Sequence, residues 1–480
     1  MPSGPKREAR IRPNRGRPMG SSTSDRRRSS APTLTRLLAL RVLERTASAG
    51  AYADLLLHSA LGRSQLNAPD RAFATDLVYG TLRWRGRIDY YLSHFVDQDL
   101  EKLEPLVLTT LQLGAYQLLF AERVPATAAV DQSVRCIRAA GMDRATGIVN
   151  AVLRRLSIEH GKVVLPSLEK DPVAHLTHAL SLPRWLAERC IERYGVEEAA
   201  EFARASNQQP PLTVRANRLR GSALDLLPDL LENFPDAAAS RFARDAIVLG
   251  HKGNPARDPA FLAGRFSVQD EASQLVVALL DPQPGERILD LCAAPGGKTT
   301  AIAERVGPSG TIVAVDRHPR RLALVQRAAR RLGLSGIRSV TRDATRSLVD
   351  LAPVGGFDRV LVDAPCSGLG TLRRNPDARW RIKPGDPARL AEIQRALVSS
   401  AAAVLRPGGA LVYSACTVLP EENEEIASHF LKESSGFALV PACALPDEVR
   451  GATDRNGFLK PLPHTHDTDG FFAARFERTT

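Results

Sequence analysis

Short apolar runs that end in polar residues alternate with helix-like segments from about residue 263 onward. The first unit, "ERILDLCAAPGGKTTAIAERV" (286–306), is an apolar run, a Gly/Pro-rich turn and a helix-like stretch. Further strand-like runs follow at 310–318, 337–345, 357–368 and 409–417. Strands that alternate with helices in this way predict a doubly wound α/β fold with a parallel sheet.

Acidic residues stand at the ends of several of these predicted strands, where ligands bind in such folds. Asp316 follows the second strand, where a carboxylate accepts hydrogen bonds from ribose hydroxyls, and Asp343 follows the third, near an expected adenine edge. One such acid is often only a helix cap or a turn residue. Together with Asp290 and Asp363, the set predicts a site for a nucleotide-like cofactor.

The turn after the first strand narrows the choice of cofactor. Gly296 and Gly297 let the backbone approach a ligand, but the G-x-G-x-x-G dinucleotide fingerprint is not matched. The loop sequence therefore favours S-adenosylmethionine over NAD.

Two of the six cysteines, Cys366 in "VDAPCSG" and Cys416 in "YSACT", stand at predicted strand ends. No pair has C-x-x-C spacing, so zinc-ribbon and thioredoxin-like sites are not indicated. A lone strand-end cysteine is more often a small buried hydrophobic residue than a nucleophile. Two of them, on strands expected to be neighbours and beside an Asp-Ala-Pro corner, favour covalent chemistry. The other cysteines are predicted to be packing or inert residues: Cys136, Cys190, Cys292 and Cys443.

The N-terminal part of the chain is basic and helical. The formal net charge of +12 points to a polyanionic partner such as nucleic acid, although an arginine-rich composition can also reflect genomic bias. Residues 1–31 have too few apolar side chains to order themselves, and form either a phosphate-contacting arm or a solvated leader. Helical periodicity begins after Thr33, a predicted N-cap. Later apolar-periodic runs lie at 75–96, 104–121, 126–139 and 146–156.

Arginines recur along these predicted helices. They suit RNA binding, with Trp84 among them, but a solvated helix face explains them equally well. They are Arg83, Arg85, Arg87, Arg135, Arg138, Arg154 and Arg155.

Residues 161–262 read as a connector with a small α+β module, including two helices broken at Tyr194–Gly195. The chain has no segment like a signal peptide, and its most apolar stretch (106–121) is too short and polar to span a bilayer. We therefore expect a cytoplasmic protein. The "HTHDTDG" segment (464–470) lacks zinc spacing, so no metal is expected there.

Four segments together resemble the RNA cytosine-5 methyltransferases, and most closely the Sun/Fmu-type branch that acts on small-subunit ribosomal RNA. The segments are "LDLCAAPGGKT" (289–299), "VDAPCSGLGTLRRNPDARW" (362–380), "LRPGGALVYSACTVLPEENE" (405–424) and "DGFFAARF" (469–476). The segment "SVQDEASQL" (267–275) and the helical region also match this branch, whose N-terminal domain is NusB-like. Apart from the basic arm (1–31), which has no counterpart in the family, the resemblance implies a NusB-like RNA-binding domain (32–160), the connector module (161–262) and a Rossmann-like methyltransferase domain (263–478).

The resemblance implies S-adenosylmethionine as cofactor, ribosomal RNA as partner, and a monomer. The implied cofactor residues are Cys292, Ala293, Ala294, Pro295, Gly296, Gly297, Lys298, Asp316, Asp343 and Asp363. Lys298 is also implied to face the reaction centre. The family usually has Thr-Cys where this chain has Ala415-Cys416, so the hydroxyl of that threonine is missing.

Cytosine C5 is a poor nucleophile, so a thiolate that adds to C6 is needed to push electron density onto C5. An acid near N3 would stabilise the charge that develops on the ring, and Asp363 can do this if it stays protonated and donates there, or if it bonds to the exocyclic amine. The residues alone leave open which cysteine attacks. In DNA cytosine methyltransferases it is the Pro-Cys cysteine; the RNA family implies Cys416, with Cys366 assisting product release.

Three other hypotheses compete with this one. Methylation of an exocyclic or protein nitrogen commonly uses an Asn/Asp-Pro-Pro-Tyr corner, which reads "DAPC" here (363–366). A non-enzymatic RNA-binding assembly factor would have no need of the two cysteines or Lys298. The same chemistry on tRNA or another ribosomal RNA site stays open.

Overall fold

The structure is a computed structural model of the chain, and it describes residues 32–251 and 253–480. The basic arm predicted for residues 1–31 therefore lies outside the described residues.

The first described unit is all-α, as the periodicity predicts. Its α-helices are α1 (Leu34–Ala49), α2 (Ala53–Arg63), α3 (Ala68–Ser93), α4 (Pro105–Leu119), α5 (Ala126–Ala139) and α6 (Thr146–Glu159). Thr33 occupies the N-cap position of α1, as predicted, although its side chain makes no cap hydrogen bond.

Helices α3 and α4 pack closely because of a glycine and a buried hydroxyl. Helix α3 starts where the Asn67 side chain accepts a hydrogen bond from the Asp70 N–H at 2.8 Å. A Cβ atom at Gly80 would collide with the ring of Tyr116 on α4. The Tyr116 hydroxyl donates to Asp76 Oδ1 at 2.9 Å. The two helices are thus held in register by a polar contact inside an apolar interface.

Three arginines of α3 do not form the solvated helix face considered above, whereas the RNA-binding interpretation stays open for them. Arg83 donates to the backbone carbonyl of Arg373 at 2.8 Å, and Arg85 lies 5.3 Å from the ring centroid of Trp380. The Arg87 guanidinium packs over neighbouring aromatic rings. All three side chains are half-buried, and the contacts of Arg83 and Arg85 hold the helical unit against residues 373–380. For the exposed arginines of α5 and α6 both interpretations stay open.

The connector ends in a small antiparallel sheet. Helices α7 (Arg184–Tyr194) and α8 (Val196–Ser206) are broken at Gly195, as predicted, where φ is +80°. The sheet has the strand order β2–β3–β1–β4 and is covered by one helix. Its elements are β1 (Thr213–Ala216), α9 (Ala223–Asn233), β2 (Ala238–Ala239), β3 (Ala246–Val248) and β4 (Phe266–Val268). Strand β4 pairs with β1, so the small sheet reaches past residue 262.

The C-terminal half forms a seven-stranded sheet in the described part of the chain. The strands are β5 (Arg287–Leu291), β6 (Thr311–Asp316), β7 (Ile337–Thr341), β8 (Phe357–Asp363), β9 (Leu405–Ala415), β10 (Phe437–Leu439) and β11 (Phe472–Arg478). Their order in the sheet is β10–β11–β9–β8–β5–β6–β7. Strands β5 to β9 pair in parallel, whereas β11 and β10 run antiparallel at one edge. The predicted doubly wound α/β fold is confirmed.

Longer helices cover both faces of this sheet. They are α10 (Glu271–Leu280), α11 (Gly297–Val306), α12 (Pro319–Leu332), α13 (Asp386–Ala402) and α14 (Glu424–Glu433). The central strands β5 and β8 are mostly buried, as parallel strands covered on two sides must be. In the part of the chain that the structure describes, no helix is long and apolar enough to cross a membrane.

The segment after β8 connects the large sheet to the helical unit. Arg379 in this segment is fully buried and donates to the backbone carbonyl of Arg83 at 3.2 Å. Burial lowers the pKa of Arg379 to about 9. The indole N–H of Trp380 donates to the carbonyl of Leu82 at 2.6 Å. The strand end that carries Cys366 is therefore tied through this segment to α3.

Candidate active site at the carboxyl edge of the large sheet

The turn between β5 and α11 is folded tightly over β6. Gly296 has φ +107°, and a Cβ atom there would lie 2.9 Å from the Cα atom of Val325. Cys292 also has a positive φ of +60°, and the Ala293 N–H donates to the Val315 carbonyl at 3.0 Å. Position 296 thus requires glycine, which keeps backbone rather than side chain at the ligand edge.

A cavity opens beside this turn at the ends of β6 and β7. Asp316 accepts hydrogen bonds from the backbone N–H groups of His318 at 2.8 Å and Ala294 at 3.4 Å. Asp343 is exposed on the opposite rim, and hydrogen bonds from Thr345 lower its carboxyl pKa. The cavity is lined by Cys292, Val315, Asp316, Arg317, His318, Arg321, Arg342, Asp343, Ala344, Thr345, Pro365, Ile393 and Leu397. Two carboxylates around a glycine turn fit the ribose and base of a nucleoside.

Asp290 has a different role from the other strand-end acids with which it was grouped. Its side chain is fully buried and accepts a hydrogen bond from the Thr299 hydroxyl at 2.6 Å. Burial raises its carboxyl pKa to about 7. Asp290 therefore ties the first turn of α11 to β5 from inside the protein.

Lys298 and Asp363 meet at the end of β8. The Lys298 Nζ donates to Asp363 Oδ2 at 2.7 Å, and the Ser414 hydroxyl donates to Asp363 Oδ1 at 2.9 Å. The same ammonium lies 5.0 Å from the ring centroid of Phe471. Both carboxylate oxygens of Asp363 are therefore held, while part of the side chain stays exposed at the site.

The two strand-end cysteines lie next to each other, as predicted from neighbouring strands. Strands β8 and β9 pair in parallel with Asp363 opposite Ser414, and the Sγ atoms of Cys366 and Cys416 are 3.3 Å apart. The hydrogen bond with Cys416 is the largest cause that raises the pKa of the Cys366 thiol well above its ordinary value. Burial and the charge of Glu422 raise it further. Cys366 is thus held as a thiol beside Cys416.

Glu422, which no sequence argument singled out, lies behind this pair. It is buried, and it accepts hydrogen bonds from Ser367 and Thr417, the residues that directly follow the two cysteines. The signal available in the sequence was the repeated Cys-hydroxyl dipeptide, Cys366-Ser367 and Cys416-Thr417, together with the acidic "PEENE" run (420–424).

The departure at position 415 has a local explanation. Ala415 is fully buried in the sheet core, and its side chain carries no polar atom. The preceding residue, Ser414, supplies the hydroxyl that contacts Asp363. An orienting hydroxyl is therefore present, one residue earlier than the usual threonine.

Of the other cysteines, Cys292 lines the cavity described above, whereas Cys136 and Cys190 are buried in the helical unit and in the connector. Burial raises the thiol pKa of Cys136 to about 11 and those of Cys190 and Cys292 to about 12. In the "HTHDTDG" segment, His464 Nε2 lies 3.2 Å from Glu198 Oε1, and the two aspartates are held by arginines of the loop after β8. Among the described residues, no group of three or more His, Cys, Asp or Glu side chains is arranged to hold a metal ion.

A parallel sheet of this order, with a glycine turn and strand-end carboxylates around one cavity, defines an S-adenosylmethionine-dependent methyltransferase of Rossmann-like fold. Family models match three segments: the NusB family at 33–157, the RsmF/B-like ferredoxin-like domain at 182–254, and the 16S rRNA methyltransferase RsmB/F at 277–477. Together with the relatives below, these matches show that the chain belongs to the RsmB/F family of 16S rRNA methyltransferases.

Known proteins are similar over nearly the whole chain. "Probable ribosomal RNA small subunit methyltransferase B" of Bacillus subtilis is 38% identical over 92% of this chain and 98% of its own. "Ribosomal RNA small subunit methyltransferase B" of Pseudomonas putida is 36% identical over 84% of this chain and 89% of its own. The crystal structure of PH0851 is 27% identical with a TM-score of 0.78, covering 92% of this chain and 98% of that one. The resemblance stated from the sequence motifs is confirmed at the level of the family.

Proposed function

We propose that this enzyme methylates C5 of a cytosine in small-subunit ribosomal RNA through a covalent adduct between Cys416 and C6 of the base. The observation that carries the proposal is the Cys366–Cys416 pair, whose sulfur atoms are 3.3 Å apart beside Asp363. Two thiols at one edge of a methyltransferase site suit a reaction that needs a nucleophile and a second group to release it. S-adenosylmethionine, when bound, supplies an electrophilic methyl group.

Cys416 is proposed as the nucleophile and Cys366 as the residue that assists release. The family resemblance supports this division, and the 3.3 Å between the two sulfur atoms allows both cysteines to act on one base. Addition of the Cys416 thiolate to C6 makes C5 nucleophilic. After methylation the C5 proton must leave, so that the Cys416–C6 bond can break and restore the aromatic ring.

Asp363 and Lys298 are proposed to hold and polarise the cytosine. Asp363 accepts hydrogen bonds from an ammonium and a hydroxyl, which is the pattern of an ionised carboxylate. Of the two roles considered for it, acceptance of a hydrogen bond from the exocyclic amine is therefore favoured over donation to N3. The nearby Lys298 ammonium stabilises negative charge that develops on the ring.

The target class is tested by bisulfite sequencing of total ribosomal RNA and tRNA from cells with and without the protein. We expect one or more cytosines of small-subunit ribosomal RNA to lose their 5-methyl signal. Loss of the signal only in tRNA or in large-subunit ribosomal RNA would assign the same chemistry to another substrate. No change in any RNA would favour the non-enzymatic assembly factor.

A further inference from the structure

A single buried carboxylate connects the backbone segments that follow both cysteines. Glu422 Oε1 accepts hydrogen bonds from the Ser367 N–H at 2.9 Å and from the Gln394 amide at 3.1 Å. Glu422 Oε2 accepts from the Ser367 hydroxyl at 2.5 Å and from the Thr417 hydroxyl at 3.1 Å. The side chain thus joins the end of β8, the end of β9 and helix α13.

The neighbouring side chains of this cluster also make short hydrogen bonds. The hydroxyls of Ser367 and Thr417 lie 2.7 Å apart, and the Gln394 amide also donates to the Pro365 carbonyl at 3.0 Å. The Tyr413 hydroxyl donates to the backbone carbonyl of Glu422 at 2.5 Å. Because Glu422, Ser367 and Thr417 are buried and hydrogen-bonded to one another, their side chains have little freedom to shift.

We propose that Glu422 is a positioning residue that fixes the separation of Cys366 and Cys416 by binding Ser367 and Thr417 with one carboxylate. The catalytic meaning of this separation rests on the proposed covalent mechanism. Two sulfurs that act in turn on one base must stay close to it, and a misplacement of about 1 Å can cost about 100-fold in rate.

The Glu422→Gln variant changes this cluster without removing its volume. The Ser367 N–H can only donate, so the carbonyl oxygen of the new side chain must take the Oε1 place. Its amide group then faces the hydroxyls of Ser367 and Thr417, and both would have to accept. The present arrangement, in which the Ser367 and Thr417 hydroxyls donate to Glu422 Oε2, is then lost.

The experiment measures how fast the two cysteines form a disulfide, without RNA or S-adenosylmethionine. In the presence of diamide, the thiols lose two protons and two electrons to the diazene, and the mass decreases accordingly. We expect Cys366–Cys416 disulfide formation to slow by at least about tenfold in Glu422→Gln. The matched control is Asp358→Asn, a hydrogen-bonded carboxylate at the opposite end of β8, which should match the wild type.

Methyl transfer supplies the second measurement. We expect kcat to fall by about 10–100-fold in Glu422→Gln, whereas the KM for S-adenosylmethionine stays unchanged because the cavity residues are untouched. If Glu422→Gln fails to fold, as judged by circular dichroism, Thr417→Val removes one hydroxyl from the cluster and carries the same test.

Three outcomes are distinguishable. Slow disulfide formation and a low kcat in the cluster variants support the positioning role. Wild-type disulfide and methylation rates in Glu422→Gln overturn it. Slow disulfide formation in the variants, combined with no RNA adduct in any form of the enzyme, keeps the positioning role but overturns the covalent mechanism.

Discussion

The ammonium of Lys298 donates to Asp363 Oδ2 at 2.7 Å, which joins the turn beside the cofactor cavity to the strand end beside the two cysteines. Lys298 belongs to the first turn of α11, and Asp363 is the last residue of β8. Strand β5, which leads into α11, is the neighbour of β8 in the sheet. In the proposed mechanism, cofactor binding and base activation share this ion pair.

Replacement of Asp363 by asparagine should reduce methyl transfer strongly. The amide cannot accept from both Lys298 and Ser414 while also binding the base, and loss of one charge-stabilising group costs about 100–1,000-fold in kcat. Transfer of a labelled methyl group to a small-subunit ribosomal RNA transcript measures this effect. Asp358→Asn, at the start of the same strand, is the control; equal activity of the two variants would contradict the role of Asp363.

Asp316→Ala should weaken S-adenosylmethionine binding by about 10–100-fold, since a hydrogen bond to a charged group contributes about 1.5–3 kcal/mol. Isothermal titration calorimetry without RNA gives the Kd directly. Asp447→Ala removes an exposed carboxylate outside the cavity and should leave the Kd unchanged. An unaltered Kd for Asp316→Ala would exclude Asp316 from the cofactor site.

Gly296→Ala should destabilise the turn more than Gly307→Ala at the other end of α11. Both positions have positive φ, which strains an alanine by about 1–3 kcal/mol, but only at Gly296 does the new Cβ meet backbone atoms, those of Val325. Thermal unfolding with and without S-adenosylmethionine measures both effects. We expect the ligand-induced rise in Tm to be lost in Gly296→Ala alone, and equal behaviour of the variants would argue against the close approach.

Asp290 should make the stability of the methyltransferase domain depend on pH. Its folded pKa of about 7 lies above the ordinary value of 3.8, so the folded state binds the extra proton between these values. The contribution of Asp290 is fully present below about pH 4 and is lost as the pH rises through 7, by on the order of 4 kcal/mol. Urea unfolding at pH 5 and pH 8 should show a smaller loss in Asp290→Asn than in the wild type. Equal losses in both proteins would mean that Asp290 does not titrate in this range.

Much of the large domain was predictable because each of the five parallel strands, β5 to β9, is an apolar run that ends in polar residues. The neighbouring ends of β8 and β9, and hence the proximity of Cys366 and Cys416, follow from parallel strand order. The role of Glu422 could not be predicted, since it depends on how a short turn after β9 folds back beneath two loops. The solvated-face interpretation of Arg83 and Arg85 was wrong for a similar reason, because their partners lie in a segment nearly three hundred residues away.

Trapping of the covalent RNA adduct tests the central proposal most directly. Wild type, Cys366→Ala and Cys416→Ala are each incubated with small-subunit ribosomal RNA transcript and S-adenosylmethionine, then run on denaturing gels. We predict that Cys416→Ala forms neither adduct nor methylated product, whereas Cys366→Ala accumulates an adduct that it cannot release. A trapped adduct in Cys416→Ala, with none in Cys366→Ala, would contradict the assignment and reverse the roles of the two cysteines.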